Sequence, residues 1–184
     1  MIKKFNPRIK ARLRKNRQVL SKNIDNFFGW IKGAKLVELK ECNTQEDPVR
    51  PELDNEFRNG YGRKIYGVEY LGEIHAVMCF AYTNIIPKSV EELEKLSTDA
   101  FLQSAMRDQK GGQIAIAYTV WSKKKGGGKL IVKEVFKKIK KSNHLNRLVT
   151  LSPLTEMATK FHTRNGAKLI QTNENTQNFE YKVL

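Results

Sequence analysis

His162 stands in the run FHTRNGAKL, residues 161–169, at the end of a stretch that reads as a helix. An imidazole beside a cleft can give or take a proton near neutral pH. A second chemistry is offered upstream by KKKGGG, residues 123–128. Three glycines between a strand and a helix let the backbone approach a ligand closely and leave N–H groups free for an anion, and the adjoining lysines add charge. The loop ends in no GK[ST] and contains no GxGxxG, so it is neither a P-loop nor a dinucleotide fingerprint. Thr119 and Ser122 are hydroxyls on or just after the strand that enters this loop. Glu69 and Glu73 are the nearest carboxylates that could act as bases, and both also suit solvent-facing or turn positions. His75 and His144 have no comparable setting, and three scattered histidines with two cysteines lack metal-ligand spacing.

The elements that would position these groups follow from periodicity. Residues 64–70, KIYGVEY, and residues 74–83, IHAVMCFAYT, flank a tight LGE turn and read as an antiparallel hairpin. Residues 89–106 open on a serine cap and early acids and carry Leu93, Leu96, Phe101 and Leu102, a helix. Residues 113–121, QIAIAYTVW, lie between glycines and are rich in β-branched and aromatic types, a central strand. Residues 129–141 place Leu130, Ile131, Val135 and Ile139 on one side and lysines on the other, an amphipathic helix. A short strand at 148–151, a helix at 155–164 stopped by Asn165-Gly166, and a last strand at 179–183 complete the pattern. Residues 34–63 are polar and broken by Pro48 and Pro51, and they read as a connector.

A chain of 184 residues with 40% hydrophobic residues can bury one core, which argues against disorder throughout. Cys42 and Cys79 form neither a CxxC motif nor a disulfide framework, and no signal peptide or apolar run of about 20 residues is present. A soluble protein of the reducing cytosol is expected. The net charge of +15 is concentrated in two regions. No acid precedes Asp25, whereas Lys3 to Lys22 include nine bases. Ile9, Leu13, Leu20, Ile24, Phe27 and Ile31 recur at steps of three, four or seven, so residues 1–33 read as a basic amphipathic helical arm. The second region is residues 123–141. Either could attract phosphate on a nucleotide cofactor, a nucleic acid or an anionic lipid, and a lysine-rich solvated surface is the plain alternative.

The order strand, Lys/Gly loop, amphipathic helix, strand and FHTRNGA resembles the GNAT superfamily of acyl-CoA N-acyltransferases. Lys123, Gly126 and Gly128 fit its Q/R-x-x-G-x-G/A loop, with Lys where Gln or Arg is usual. Phe161-His162 and Gly166-Ala167 fit its FYxxxGF helix end, with His162 at the tyrosine position. A closer local likeness, over roughly residues 64–184, is to the malonyl-CoA decarboxylases. It rests on Thr150-Leu151-Ser152-Pro153, on Phe161, His162, Asn165, Gly166, Ala167 and Leu169, on CFAY at 79–82, and on the helix LIVKEV. The glycine loop is shorter here and that family's larger N-terminal helical domain is missing from these 184 residues.

The resemblance implies an α/β fold with a mixed, largely antiparallel sheet flanked by helices. Its core would span residues 64–184. A coenzyme A thioester, acetyl-CoA or malonyl-CoA, would lie against Val120, Trp121, Lys123, Lys124, Lys125, Gly126, Gly127, Gly128 and Lys129. It also implies that His162 is a catalytic acid working with a hydroxyl at Thr119 or Ser122. Acyl transfer to an amine needs a base, and Glu69 is the carboxylate in view. Decarboxylation of a malonyl thioester needs no base, only an oxyanion hole, a group that orients the carboxylate and a proton donor. Acyl transfer is expected first and decarboxylation second. The third possibility is a non-catalytic protein of the same fold that binds nucleic acid through its basic arm.

Overall fold

The computed structural model describes residues 15–17, 29, 30, 32–107 and 111–181. The chain divides into two compact units, residues 1–34 and 35–184. In the first, residues 15–17, 29, 30, 32 and 33 are helical, and the Ala34 N–H donates to the Trp30 carbonyl at 3.0 Å. The rest of the basic helix expected over 1–33 lies outside the described residues.

The second unit is built on one sheet. Its strands are β1 (Lys35–Leu39), β2 (Lys64–Tyr70), β3 (Glu73–Thr83), β4 (Ile114–Ser122), β5 (Arg147–Thr150), β6 (Ser152–Pro153), β7 (Ala167–Thr172) and β8 (Thr176–Tyr181). The order is β1-β2-β3-β4-β5-β8-β6, with β7 on the other side of β8. Among the described residues, only β4 and β5 pair in parallel, and every other pairing is antiparallel. The hairpin of β2 and β3 turns on Leu71 and Gly72, both at positive φ (54° and 82°). A two-residue loop needs that twist to bring the strands back together.

Among the described residues, four α-helices accompany the sheet: α1 (Asn55–Asn59), α2 (Val90–Arg107), α3 (Gly127–Lys140) and α4 (Glu156–Arg164). At the start of α2 the Ser89 hydroxyl accepts from the Glu92 N–H (3.2 Å) and the Glu92 carboxylate accepts from the Lys88 N–H (2.6 Å), which satisfies donors that the first turn would leave open. In α3, Leu130, Ile131, Val135 and Ile139 are buried while Lys137, Lys138 and Lys140 occupy its last turn, where cations suit the helix dipole. Thr155 caps α4 by accepting from the Ala158 N–H at 3.2 Å, and Gly166 (φ 89°) turns the chain after it.

The expectation of a mixed, largely antiparallel sheet flanked by helices holds for this unit. The connector expected at 34–63 does not: the segment forms the edge strand β1, a 3-10 turn at Thr44–Glu46 and α1, and sends Asp47, Arg50 and Arg58 into the interior. Their charges disguise their burial: Asp47 and Arg58 pair with each other, and Arg50 is hydrogen-bonded to the Tyr118 and Leu151 carbonyls far along the chain. Strand β7 was not foreseen either. Its alternate residues are mostly exposed, so no buried stripe marks it.

Candidate active site

The site begins where two parallel strands part. Ile114 to Ala117 of β4 pair with Arg147 to Thr150 of β5, and the last link is the Leu151 N–H donating to the Ala117 carbonyl at 2.9 Å. Beyond it β4 continues to Ser122, whereas the other chain turns to pair with β8 through Ser152 and Pro153. The register between β3 and β4 also slips here: Phe80 faces Ala117 and Cys79 faces Thr119, so Tyr118 is an extra residue on β4. Such a bulge bends a strand and re-aims its groups.

A buried charged cluster holds the parting open. The Arg50 guanidinium donates from Nε to the Tyr118 carbonyl (2.9 Å) and from Nη2 to the Leu151 carbonyl (3.1 Å), spanning the two strands. Asp47 sits beside it. Its carboxylate accepts from the N–H groups of Val49 and Arg50, from the Thr119 hydroxyl at 2.8 Å, and from Arg58 Nη2 at 2.9 Å. Arg58 also donates to the carbonyls of Arg50 and Leu53 and to Cys79 Sγ (3.4 Å). The side chains of Asp47 and Arg58 are both fully buried. Ions out of water require this degree of pairing and hydrogen bonding.

On the other side of the gap lies a cavity of about 350 Å³, within the range of small-ligand sites. Its walls include Pro48, Val49, Met78, Thr119, Val120, Trp121, Thr150, Ser152, Phe161, His162 and Tyr181. His162 stacks on Phe179, with ring centroids 5.1 Å apart. Its Nε2 lies 2.8 Å from Ser152 Oγ and its Nδ1 2.9 Å from the Tyr181 hydroxyl. Ser152 Oγ lies 3.0 Å from Thr150 Oγ1, which accepts from the Phe179 N–H at 3.1 Å. Burial pushes the His162 imidazolium pKa down to about 4 and the Tyr181 phenol up. The near-neutral titration expected for His162 is therefore corrected: burial disfavours the imidazolium and holds the ring neutral at pH 7.

The glycine loop stands at the mouth. Gly126 takes a left-handed conformation (φ 85°) and contributes no side-chain cap to α3. A Cβ on Gly128 would come 3.0 Å from the Phe161 ring, so only glycine keeps the passage between α3 and α4 at its present width. The cavity shares Ser122, Gly128, Met157 and Phe161 with an open groove of about 640 Å³ that Lys129, Lys160 and Arg164 also line. An apolar chamber thus leads to a cationic groove at an uncapped helix N-terminus. That sequence of surfaces fits a ligand with an apolar or acyl end and a phosphate-bearing end.

Of the residues expected at the site, His162, Thr119, Ser122, Val120, Trp121, Lys123 and Gly128 line the cavity, and Gly126 and Lys129 line the groove. Lys123 is ion-paired with Glu46 at 2.7 Å. Lys124 stands over the Tyr70 ring, Lys125 is exposed, and Gly127 is packed near Ser122 and Ala76. Glu69, expected as a base, lies on β2 opposite Lys35 and Ile74 and is not among the lining residues. Thr119 spends its hydroxyl hydrogen on Asp47 and is not free to donate to a ligand. Sequence reasoning missed Asp47, Arg50, Ser152 and Tyr181. Ser152 alone left a signal, in the TLSP run beside FHTRNGA. Among the described residues, no group of three or more His, Cys, Asp or Glu could hold a metal ion, and no helix is long and apolar enough to cross a membrane.

Known structures share this architecture. A GNAT-like decarboxylase, GphF, solved in complex with isobutyryl-CoA, aligns over 80% of this chain and 98% of its own with a TM-score of 0.60 and 9% identity. An acetyltransferase of Bacillus subtilis solved with CoA aligns over 82% and 99%, with a TM-score of 0.53 and 12% identity. A malonyl-CoA decarboxylase from Cupriavidus metallidurans aligns over 72% of this chain at 17% identity and a TM-score of 0.46; the chain spans about a third of that protein, 34%. No protein-family profile and no curated protein sequence matches. The chain therefore has the fold shared by GNAT acetyltransferases and GNAT-like decarboxylases.

Proposed function

We propose that the protein is an acyl-CoA-dependent enzyme that transfers the acyl group of a coenzyme A thioester to an acceptor. The observation that carries this reading is the continuous path from the groove at Gly126, Gly128 and Lys129 to the cavity that ends at His162. The phosphates would meet the first-turn N–H groups of α3 together with Lys129, Lys160 and Arg164. The thioester would lie between the parted strands β4 and β5, where backbone N–H groups near the bulge face the carbonyl oxygen. The acyl chain would enter the chamber walled by Met78, Val120 and Phe161. His162, neutral at pH 7, serves as the base for the acceptor, a role that needs no carboxylate.

Decarboxylation of a malonyl thioester is the second reading. Glu46 is the one carboxylate that lines the cavity, and Lys123 neutralises it. A substrate carboxylate would therefore meet no uncompensated negative charge. Calorimetric titration with coenzyme A and acetyl-CoA tests the shared requirement. Binding is expected, weakened by salt and by the combined change Lys129→Ala, Arg164→Ala, and undiminished affinity in that variant would sink the groove assignment. Incubation with malonyl-CoA separates the readings: formation of acetyl-CoA favours decarboxylation, and its absence alongside acylation of an added polyamine favours transfer.

A further inference from the structure

Two thiols that stand far apart in the chain meet in the fold, outside the cavity. Cys79, on β3, is fully buried, and Cys42, in the loop after β1, is partly exposed between the exposed Glu41 and Asn43. Neither lines the cavity. Cys42 packs against the core cluster that contains Cys79. Arg58 joins the pair, since one nitrogen, Nη1, donates to Cys79 Sγ at 3.4 Å and to Cys42 Sγ at 3.8 Å. Asn55, the first residue of α1, fixes the backbone of Cys42. Its Oδ1 accepts from the Cys42 N–H and its Nδ2 donates to the Cys42 carbonyl, both at 3.0 Å.

The two sulfurs have different chemistry. As a thiol, Cys42 donates to Asn55 Oδ1 at 3.6 Å. Once that proton is lost, the sulfur accepts from the Cys79 thiol and from Arg58. The hydrogen bond from Cys79 and the charge of Arg58 outweigh burial and bring the Cys42 thiol down to about 7. Burial, with the bond to Cys42, pushes Cys79 up and keeps it a thiol. A partly exposed thiolate can meet an oxidant, and a buried thiol beside it can resolve the product.

We infer that Cys42 and Cys79 form an oxidation site at which a hydroperoxide drives formation of an intramolecular disulfide. In the first step the Cys42 thiolate attacks a peroxide oxygen. The oxygen–oxygen bond breaks, Cys42 becomes a sulfenic acid, and the departing oxygen takes a proton from solvent to leave as water or an alcohol. In the second step Cys79 Sγ attacks the Cys42 sulfur. The sulfur–oxygen bond breaks, and hydroxide leaves with the Cys79 proton as water. Two electrons pass from the pair of sulfurs to the peroxide, and a thiol reductant reverses the change. The disulfide closes a ring that contains Asp47, Arg50 and Arg58, the cluster at the parting of β4 and β5. Oxidation therefore fastens that segment to the sheet and restricts the unfolded chain.

The experiment is thiol counting by intact-protein mass spectrometry on the whole chain, reduced, exposed briefly to hydrogen peroxide and then unfolded in excess maleimide. The sequence holds only two cysteines, so the reduced chain should take up two labels and the oxidised chain none, with both recovered after dithiothreitol. Cys79→Ser should stop at the sulfenic acid and be trapped at Cys42 by dimedone. Cys42→Ser should lose its remaining thiol at least ~10-fold more slowly than wild type. Oxidised wild type should melt several degrees above reduced wild type, a shift that Cys42→Ser should lack. Wild type that keeps both labels overturns the inference, as does a disulfide-linked dimer or over-oxidation of Cys42 with Cys79 still labelled. Equal rates of thiol loss in wild type and Cys42→Ser overturn it too. The label count on wild type decides the matter even where a variant fails to fold.

Discussion

The two sides of strand β4 solve the problem of buried polarity in opposite ways. Toward the segment before β2, the carboxylate of Asp47 is locked between Arg58, Thr119 and two backbone N–H groups, and each partner holds a fixed charge or a fixed donor direction. Toward the cavity, Thr150, Ser152, His162 and Tyr181 form a chain of neutral groups in which each hydroxyl can reverse its direction. The first arrangement cannot move a proton without exposing a buried charge, so it serves to hold geometry. The second can pass a proton along at little cost in buried charge, so it is the side suited to chemistry.

The largest effect that would break this contrast is expected at Arg58. Arg58→Ala leaves the Asp47 carboxylate buried and without its cation, and denaturant unfolding should show a loss of about 3–5 kcal/mol. The double variant Arg58→Ala, Asp47→Ala should lose less than the sum of the two single changes. A loss below about 1 kcal/mol in Arg58→Ala would mean that the pair is not a lock.

The neutral side makes a pH prediction. Folded His162 titrates at about 4, below its ordinary value of 6.5, so the unfolded chain binds more protons between those limits. The contribution of the buried neutral ring is complete above pH 6.5, declines as pH falls to about 4 and changes no further below that. Its full size is about 3 kcal/mol. His162→Phe should flatten the stability profile across this window, and an unflattened profile would show that the ring is not held neutral by burial.

Smaller effects sharpen the picture. Thr150→Val strips the Phe179 N–H and Ser152 of a partner and should cost about 1–3 kcal/mol in a thermal or denaturant melt. Gly126→Ala must adopt φ 85° with a side chain, and about 1 kcal/mol is expected. Lys160→Ala removes an exposed pair with Glu156, one helical turn away, and stability should change by ~0.5 kcal/mol or less. Weakened coenzyme A binding in that last variant would then be read as a ligand effect alone.

Much of the fold could be read along the chain because its elements have marked ends. β2, β3 and β4 are continuous buried runs between turn residues, α3 buries apolar residues at three-four spacing, and α4 lies between a Thr155 cap and Asn165-Gly166. The candidate site was legible in part for the same reason: the glycine loop and His162 stand at element boundaries. Asp47, Arg50 and Arg58 were hidden because their burial depends on partners such as Thr119, 72 positions away. Their residue types say surface, and only the tertiary structure reverses that. The setting of His162 was hidden too, since its burial lowers its pKa and its contacts with Phe179 and Tyr181 come from a strand that follows it. Glu69 misled because a strand carboxylate carries no local mark of which way it faces.

Arg50 has one more consequence. Where two strands separate, the carbonyls along the opening lose their ladder partners, and a sheet would normally close to recover them. Nε and Nη2 of Arg50 supply those missing donors to Tyr118 and Leu151. The gap is thus a finished surface rather than a torn one. A guest entering it displaces water and breaks no sheet hydrogen bond, so the cost of opening is met when the chain folds and not each time a ligand binds.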